Sequence, residues 1–228
     1  MGNSPDHPIT ASPDGPMARS PNALLLPRLY AIIDPAQCGG RSPLEVAAAL
    51  LAAGVRLIQL RDKQASSRDL YATAQQLGAY IREHGGTFIV NDRADVALAS
   101  GADGVHVGQD DLPVECARAI LGPGKMIGYS THVLEQVREA DQSSAHYIAF
   151  GPIFPTTSKV NPDAVVGLEG LREARKATRK PLVAIGGITL ATARAVIEAG
   201  ADSLAVIRDL VGAENIRARA EEFLDSSR

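Results

Sequence analysis

From Arg28 onward, short apolar runs rich in Val and Ile alternate eight times with longer stretches rich in Ala, Leu, Glu and Arg. Repeated strand–helix alternation of this kind builds parallel βα units and excludes all-helical and antiparallel designs. The strand runs read as residues 29–34, 57–61, 87–91, 104–108, 126–130, 147–151, 182–186 and 203–207. Helical patterns fall between them, such as 43–53 behind the N-cap candidate Ser42, 68–84 closed by Gly85 and Gly86, and 189–199 ended by Gly200. Eight βα units is the count at which a parallel barrel is just filled by its own side chains, whereas an open sheet has no preferred number. The turn Ile185-Gly186-Gly187-Ile188 after the seventh run suits the backbone phosphate site of such barrels, and no GxGxxG follows the first run. The expected fold is α/β, a single (β/α)₈ TIM barrel over residues 28–228 as the catalytic domain.

Residues 1–27 carry six prolines among Ser, Asp and Asn and no apolar period. They cannot bury enough surface to offset ordering entropy and read as a disordered tail. The opening Met1-Gly2 has Asp6 where a myristoylation signal requires Ser or Thr. The 23 basic and 26 acidic residues nearly cancel, to a net −3, which argues against nucleic acid or an anionic membrane as a partner. The apolar run Ala23-Leu24-Leu25-Leu26 is too short for a signal segment or membrane span, so a cytoplasmic location is expected. Cys38 and Cys116 lack metal-ligand spacing and read as free thiols.

In a barrel the C-terminal strand ends share one mouth, so polar residues there face a common ligand. Period-two alternation puts Gln59, Arg61 and Lys63 on one face, and two cations facing the interior require a bound anion or facing carboxylates. Alternatively, Arg61 and Lys63 are solvated loop charges. Asp92 follows the third run, and Asp110 and Asp111 follow the fourth. Such carboxylates suit Mg²⁺, which takes one or two of them with waters and phosphate oxygens, although each reads equally as a helix cap. Ser130 and His132 end the fifth run, with Ser130 also a candidate cap for a helix starting near Val133. The hydroxyl-rich segment Thr156-Thr157-Ser158-Lys159 after the sixth run suits a phosphate lid or an ordinary surface loop. His106, mid-strand, reads as a satisfied core histidine.

These segments together, from about Leu29 to Leu210, resemble the thiamine-phosphate synthase family. The matching motifs are Gln59-Leu60-Arg61-Asp62-Lys63, Asn91-Asp92-Arg93, Gly104 through Asp111, Gly128 through His132, Gly151 through Lys159, and Ala184 through Ile188. The resemblance implies a transferase of thiamine biosynthesis. It would join a pyrimidine diphosphate, 4-amino-2-methyl-5-hydroxymethylpyrimidine diphosphate, to 4-methyl-5-hydroxyethylthiazole phosphate, giving thiamine monophosphate and pyrophosphate. By the same implication Gln59, Arg61, Lys63, Asn91, Ser130 and Lys159 hold the pyrimidine diphosphate, with Arg61, Lys63, Ser130 and Lys159 as the catalytic set. Asp92 and Asp111 hold Mg²⁺, and Thr156, Ser158, Gly186, Ile207 and Arg208 hold the thiazole phosphate. Arg208 stands where many relatives carry Ser, and Asp62 where Glu is commoner.

The rival readings are a thiazole tautomerase-like relative, which needs no diphosphate–metal apparatus, a phosphosugar isomerase or epimerase sharing the Gly186-Gly187 turn, and a non-catalytic sensor of thiamine precursors. The partners expected are small phosphorylated substrates, and the sequence is compatible with a homo-oligomer.

Overall fold

The computed structural model describes residues 24–157 and 163–227. Eight parallel strands close into a barrel in chain order: β1 (Leu29–Ile33), β2 (Leu57–Leu60), β3 (Thr87–Asn91), β4 (Gly104–Val107), β5 (Met126–Thr131), β6 (Tyr147–Phe150), β7 (Leu182–Ala184) and β8 (Ser203–Val206). Closure is made by β1 against β8, with Leu29 opposite Leu204 and Ala31 opposite Val206. The helices are α1 (Pro43–Ala52), α2 (Ser67–Glu83), α3 (Ala94–Ala99), α4 (Val114–Leu121), α5 (Leu134–Gln142), α6 (Gly167–Ala177), α7 (Leu190–Glu198), the short α8 (Arg208–Val211) and α9 (Ile216–Ser226).

The period-two pattern divides the apolar residues into two sets. Tyr30, Leu57, Ile89, Tyr147, Ala149, Val183 and Ala205 fill the barrel interior. Alternate residues, among them Leu29, Ala31, Ile58, Leu60, Phe88, Val105 and Ile148, pack outward against the helices. Each large side chain buried in that sleeve contributes about 1.5–3 kcal/mol. Helix starts follow the local chemistry. Ser42 accepts from Glu45 N–H while the Glu45 carboxylate accepts from Ser42 N–H at 2.8 Å, a complete capping box with Pro43 in the first turn.

Several strands end one or two residues before the apolar runs do. Asp34, Arg61, Gly108, Gly151, Ile185, Gly186 and Ile207 lie beyond the strands' ends, although Arg61, Gly151 and Ile185 still donate a backbone hydrogen bond to the neighbouring strand. Of the tail expected over residues 1–27, all but residues 24–27 fall outside the described residues. Leu26 already packs against the interior cluster, so packing begins ahead of residue 28. Among the described residues no helix is long and apolar enough to cross a membrane.

Candidate active site

The C-terminal strand ends enclose a cavity of about 840 Å³. Gln59, Arg61, Lys63, Asn91, Asp92, Asp111, Ser130, Thr156, Gly186, Ile207 and Arg208 all line it. Eleven of the thirteen residues to which the family resemblance gave a role therefore meet in one space, and Asp110 and His132 line it as well. The other two, Ser158 and Lys159, lie outside the described residues.

The cations on the β2 side are answered by carboxylates. Arg61 donates to Asp34 Oδ2 at 2.5 Å, and Asp34 also accepts from Ala36 N–H at 3.1 Å. Asp34 is only 5% exposed, so the pair is largely shielded from solvent at the rim. The solvated-loop reading of Arg61 therefore fails. Lys63, more exposed, is ion-paired with Asp92. Sequence reasoning did not assign Asp34. Its signal was an acidic residue ending an apolar run, directly across the β1–β2 register from the run bearing Arg61.

Asp92 adopts a left-handed backbone with φ of 61°, which is uncommon outside glycine and tolerated best by Asn and Asp. That turn brings its carboxylate close enough to Asp111 for the two to interact electrostatically, while Asp111 Oδ2 accepts from Gly108 N–H at 2.8 Å. Burial, helped by the facing Asp111, outweighs Lys63 and lifts the Asp92 carboxyl to about 6. Neither aspartate is a helix cap: α3 starts from Arg93 and α4 from Pro113. Among the described residues no three His, Cys, Asp or Glu side chains cluster around a metal position. Two carboxylates crowded together still suit a hard divalent ion that draws its remaining ligands from water and substrate oxygens.

Across the ring, Gly186 and Gly187 have φ of 87° and 65°. A Cβ on Gly187 would stand 2.5 Å from Pro155 O, so the turn packs directly beneath the segment that carries Thr156. The first amide of α7, Leu190 N–H, is taken by Asp209 at 2.7 Å. The helix end therefore has one amide fewer to offer a ligand. Arg208 is exposed beside the Gly186-Gly187 turn, with Gln37 Oε1 3.4 Å from its Nε.

Polar groups form the floor. His106 is buried and hydrogen-bonded, as expected of a core histidine, but it also lines the cavity. Its Nε2 lies 2.8 Å from Ser130 Oγ and its Nδ1 3.1 Å from Tyr147 Oη. Ser130 therefore serves the cavity and does not cap α5, whose N-cap is Val133. Burial drives His106 down to about 4, keeping the ring neutral, and raises the Tyr30 and Tyr147 phenols. The sequence alone assigned neither tyrosine a role. The available signal was Gly128, where a Cβ would fall 2.0 Å from Tyr147 Cζ.

The family model described as "Thiamine monophosphate synthase" matches residues 29–210. A thiamine-phosphate synthase of Koribacter versatilis is 52% identical over 208 residues, covering 89% of this chain and 97% of the relative. One from Shouchella clausii is 46% identical, covering 86% and 94%. The solved thiamine phosphate pyrophosphorylase of Pyrococcus furiosus superposes with a TM-score of 0.80 at 38% identity, covering 88% of this chain and 95% of that one. With a family match over most of the barrel and relatives this similar along nearly their full lengths, the chain belongs to the thiamine monophosphate synthase family of enzymes.

Proposed function

We propose that this transferase joins 4-amino-2-methyl-5-hydroxymethylpyrimidine diphosphate to 4-methyl-5-hydroxyethylthiazole phosphate, forming thiamine monophosphate and pyrophosphate in the cytoplasm. The observation that carries the reading is the meeting of Arg61, Lys63, Asp92 and Asp111 in one cavity with the Gly186-Gly187 turn and Arg208 across the ring. The β2–β4 side takes the diphosphate and the β7–β8 side the monophosphate. Asp92 and Asp111 would hold Mg²⁺, which when bound neutralises charge on the diphosphate.

Arg61, Lys63 and Lys159 stabilise the diphosphate as the C–O bond breaks and the electron pair departs with the leaving group. The electron-rich aminopyrimidine ring delocalises the positive charge left on the methylene. Gln59, Asn91 and Ser130 hold that ring and its diphosphate in register. Thr156, Ser158, Gly186, Ile207 and Arg208 anchor the thiazole phosphate so that the ring nitrogen's lone pair forms the new C–N bond. No protein nucleophile or strong base is required, and alignment of two bound substrates supplies much of the rate.

A tautomerase-like relative would have no use for the paired cations and carboxylates. Incubating the purified protein with both substrates and Mg²⁺ tests the proposal: pyrophosphate and thiamine monophosphate are expected in equal amounts. Binding of both substrates without product would replace it with the sensor reading.

A further inference from the structure

Beneath the cavity a buried run of side chains links Gln59 to Ser130. Gln59 Nε2 donates to Tyr30 Oη at 2.7 Å, and the Tyr30 and Tyr147 hydroxyls meet at 2.8 Å. Tyr147 Oη then approaches His106 Nδ1 at 3.1 Å, and His106 Nε2 approaches Ser130 Oγ at 2.8 Å. Neither tyrosine is more than 1% exposed, so each hydroxyl proton must find its acceptor inside the run.

That requirement sets the direction of every bond. Tyr30 receives a hydrogen from Gln59, which leaves Tyr147 Oη as the acceptor for its own. Tyr147 must then donate to His106 Nδ1. A neutral imidazole that accepts at Nδ1 carries its hydrogen on Nε2, from which it donates to Ser130 Oγ. The Ser130 proton is turned to the cavity, and Gln59 keeps its amide oxygen as an acceptor there. A phosphorylated ligand presents acceptor oxygens and favours this direction over its reverse. Gly128 gives the arrangement its space, since any Cβ at that position would overlap the Tyr147 ring.

We infer that Tyr30 and Tyr147 are positioning residues that lock this run in one direction, making Ser130 a hydrogen-bond donor and Gln59 an acceptor toward the substrate. The identity of that substrate as an aminopyrimidine diphosphate rests on the function proposed above; the direction of the run does not.

The test is ¹⁵N NMR of histidine-labelled, substrate-free protein, with His106 assigned by the signals lost in His106→Gln. A single tautomer protonated at Nε2 is expected. Protonation at Nδ1, or a mixture of tautomers, would mean the reverse direction or none, and would overturn the inference. Tyr147→Phe is expected to release His106 into a mixture. It should also lower kcat/KM for the pyrimidine diphosphate about tenfold, the worth of one neutral hydrogen bond, while KM for the thiazole phosphate is unchanged. A single tautomer and undiminished kcat/KM in that variant would remove the tyrosines from the positioning role. If Tyr147→Phe does not fold, Tyr30→Phe takes its place: Tyr147 then has His106 Nδ1 as its remaining acceptor in the run, so the Nε2–H tautomer should persist while kcat/KM for the pyrimidine diphosphate falls about tenfold, and an undiminished kcat/KM would remove Tyr30 from the positioning role. Absence of turnover in a wild-type protein with the Nε2–H tautomer would refute the proposed reaction and leave the run intact.

Discussion

Arg61 has both a structural and a proposed chemical part to play, and substitution separates them. Arg61→Ala strands the Asp34 carboxylate, only 5% exposed, without its cation. A loss of about 1–3 kcal/mol of stability is expected in chemical denaturation, together with a fall in turnover of about a hundredfold or more. Asp92→Asn should cut turnover comparably but keep a residue suited to φ of 61° while removing the charge that crowds Asp111, so its denaturation midpoint should hold or rise. A parallel loss of stability in both variants would show that the carboxylate pair is built for the fold. Lys159→Ala is expected to reduce turnover about a hundredfold with no change in stability; an unchanged rate would remove Lys159 from the site.

His106 gives a pH signature at the same scale. Its folded-state value is about 4 against an ordinary 6.5, so the unfolded chain takes up a proton first as pH falls. The stability it contributes is complete above 6.5 and is lost progressively toward 4, reaching at most about 3 kcal/mol. Asp92, raised to about 6, acts in the opposite sense over an overlapping range. The comparison of wild type with His106→Gln isolates the histidine, since Asp92 is common to both: relative to the wild type, the variant should gain stability as pH falls through that window. Identical curves would contradict a buried neutral ring.

At the scale of elements, glycines decide which strands can approach. Gly128 on β5 faces the Tyr147 ring, and Gly187 after β7 sits against the backbone of Pro155 with positive φ. Gly128→Ala should destabilise the barrel by about 1–3 kcal/mol through overpacking and displace the Tyr147 hydroxyl. Gly187→Ala should weaken affinity for the thiazole phosphate, measured by calorimetry; unaltered affinity would detach that turn from the phosphate. The helix starts were readable because capping is local, as Ser42 and Glu45 illustrate. The strand ends were less readable. Apolar residues such as Ile185 and Ile207 continue past the ladder to line the mouth, and hydrophobicity alone does not distinguish that lining from a buried strand.

At the scale of the molecule, βα alternation carried the barrel, and the shared mouth then followed from geometry. This is why polar residues as distant in sequence as Gln59 and Thr156 could be assigned to one mouth from the sequence, whereas Arg208 came only from the family resemblance. What stayed hidden depends on cross-strand partners. The match of Asp34 to Arg61 and the tyrosine hydroxyls that meet inside the barrel arise only when β1 lies beside β2 and across from β6. On the proposed function, side chains from separate repeats build one site for a diphosphate and its divalent ion. Calorimetric titration with inorganic pyrophosphate, with Mg²⁺ and with chelator, tests it most directly. Tight binding is expected only with Mg²⁺, losing its metal dependence in Asp92→Ala and weakening under both conditions in Arg61→Ala. Pyrophosphate affinity that is the same with and without the ion, and indifferent to both substitutions, would contradict the account.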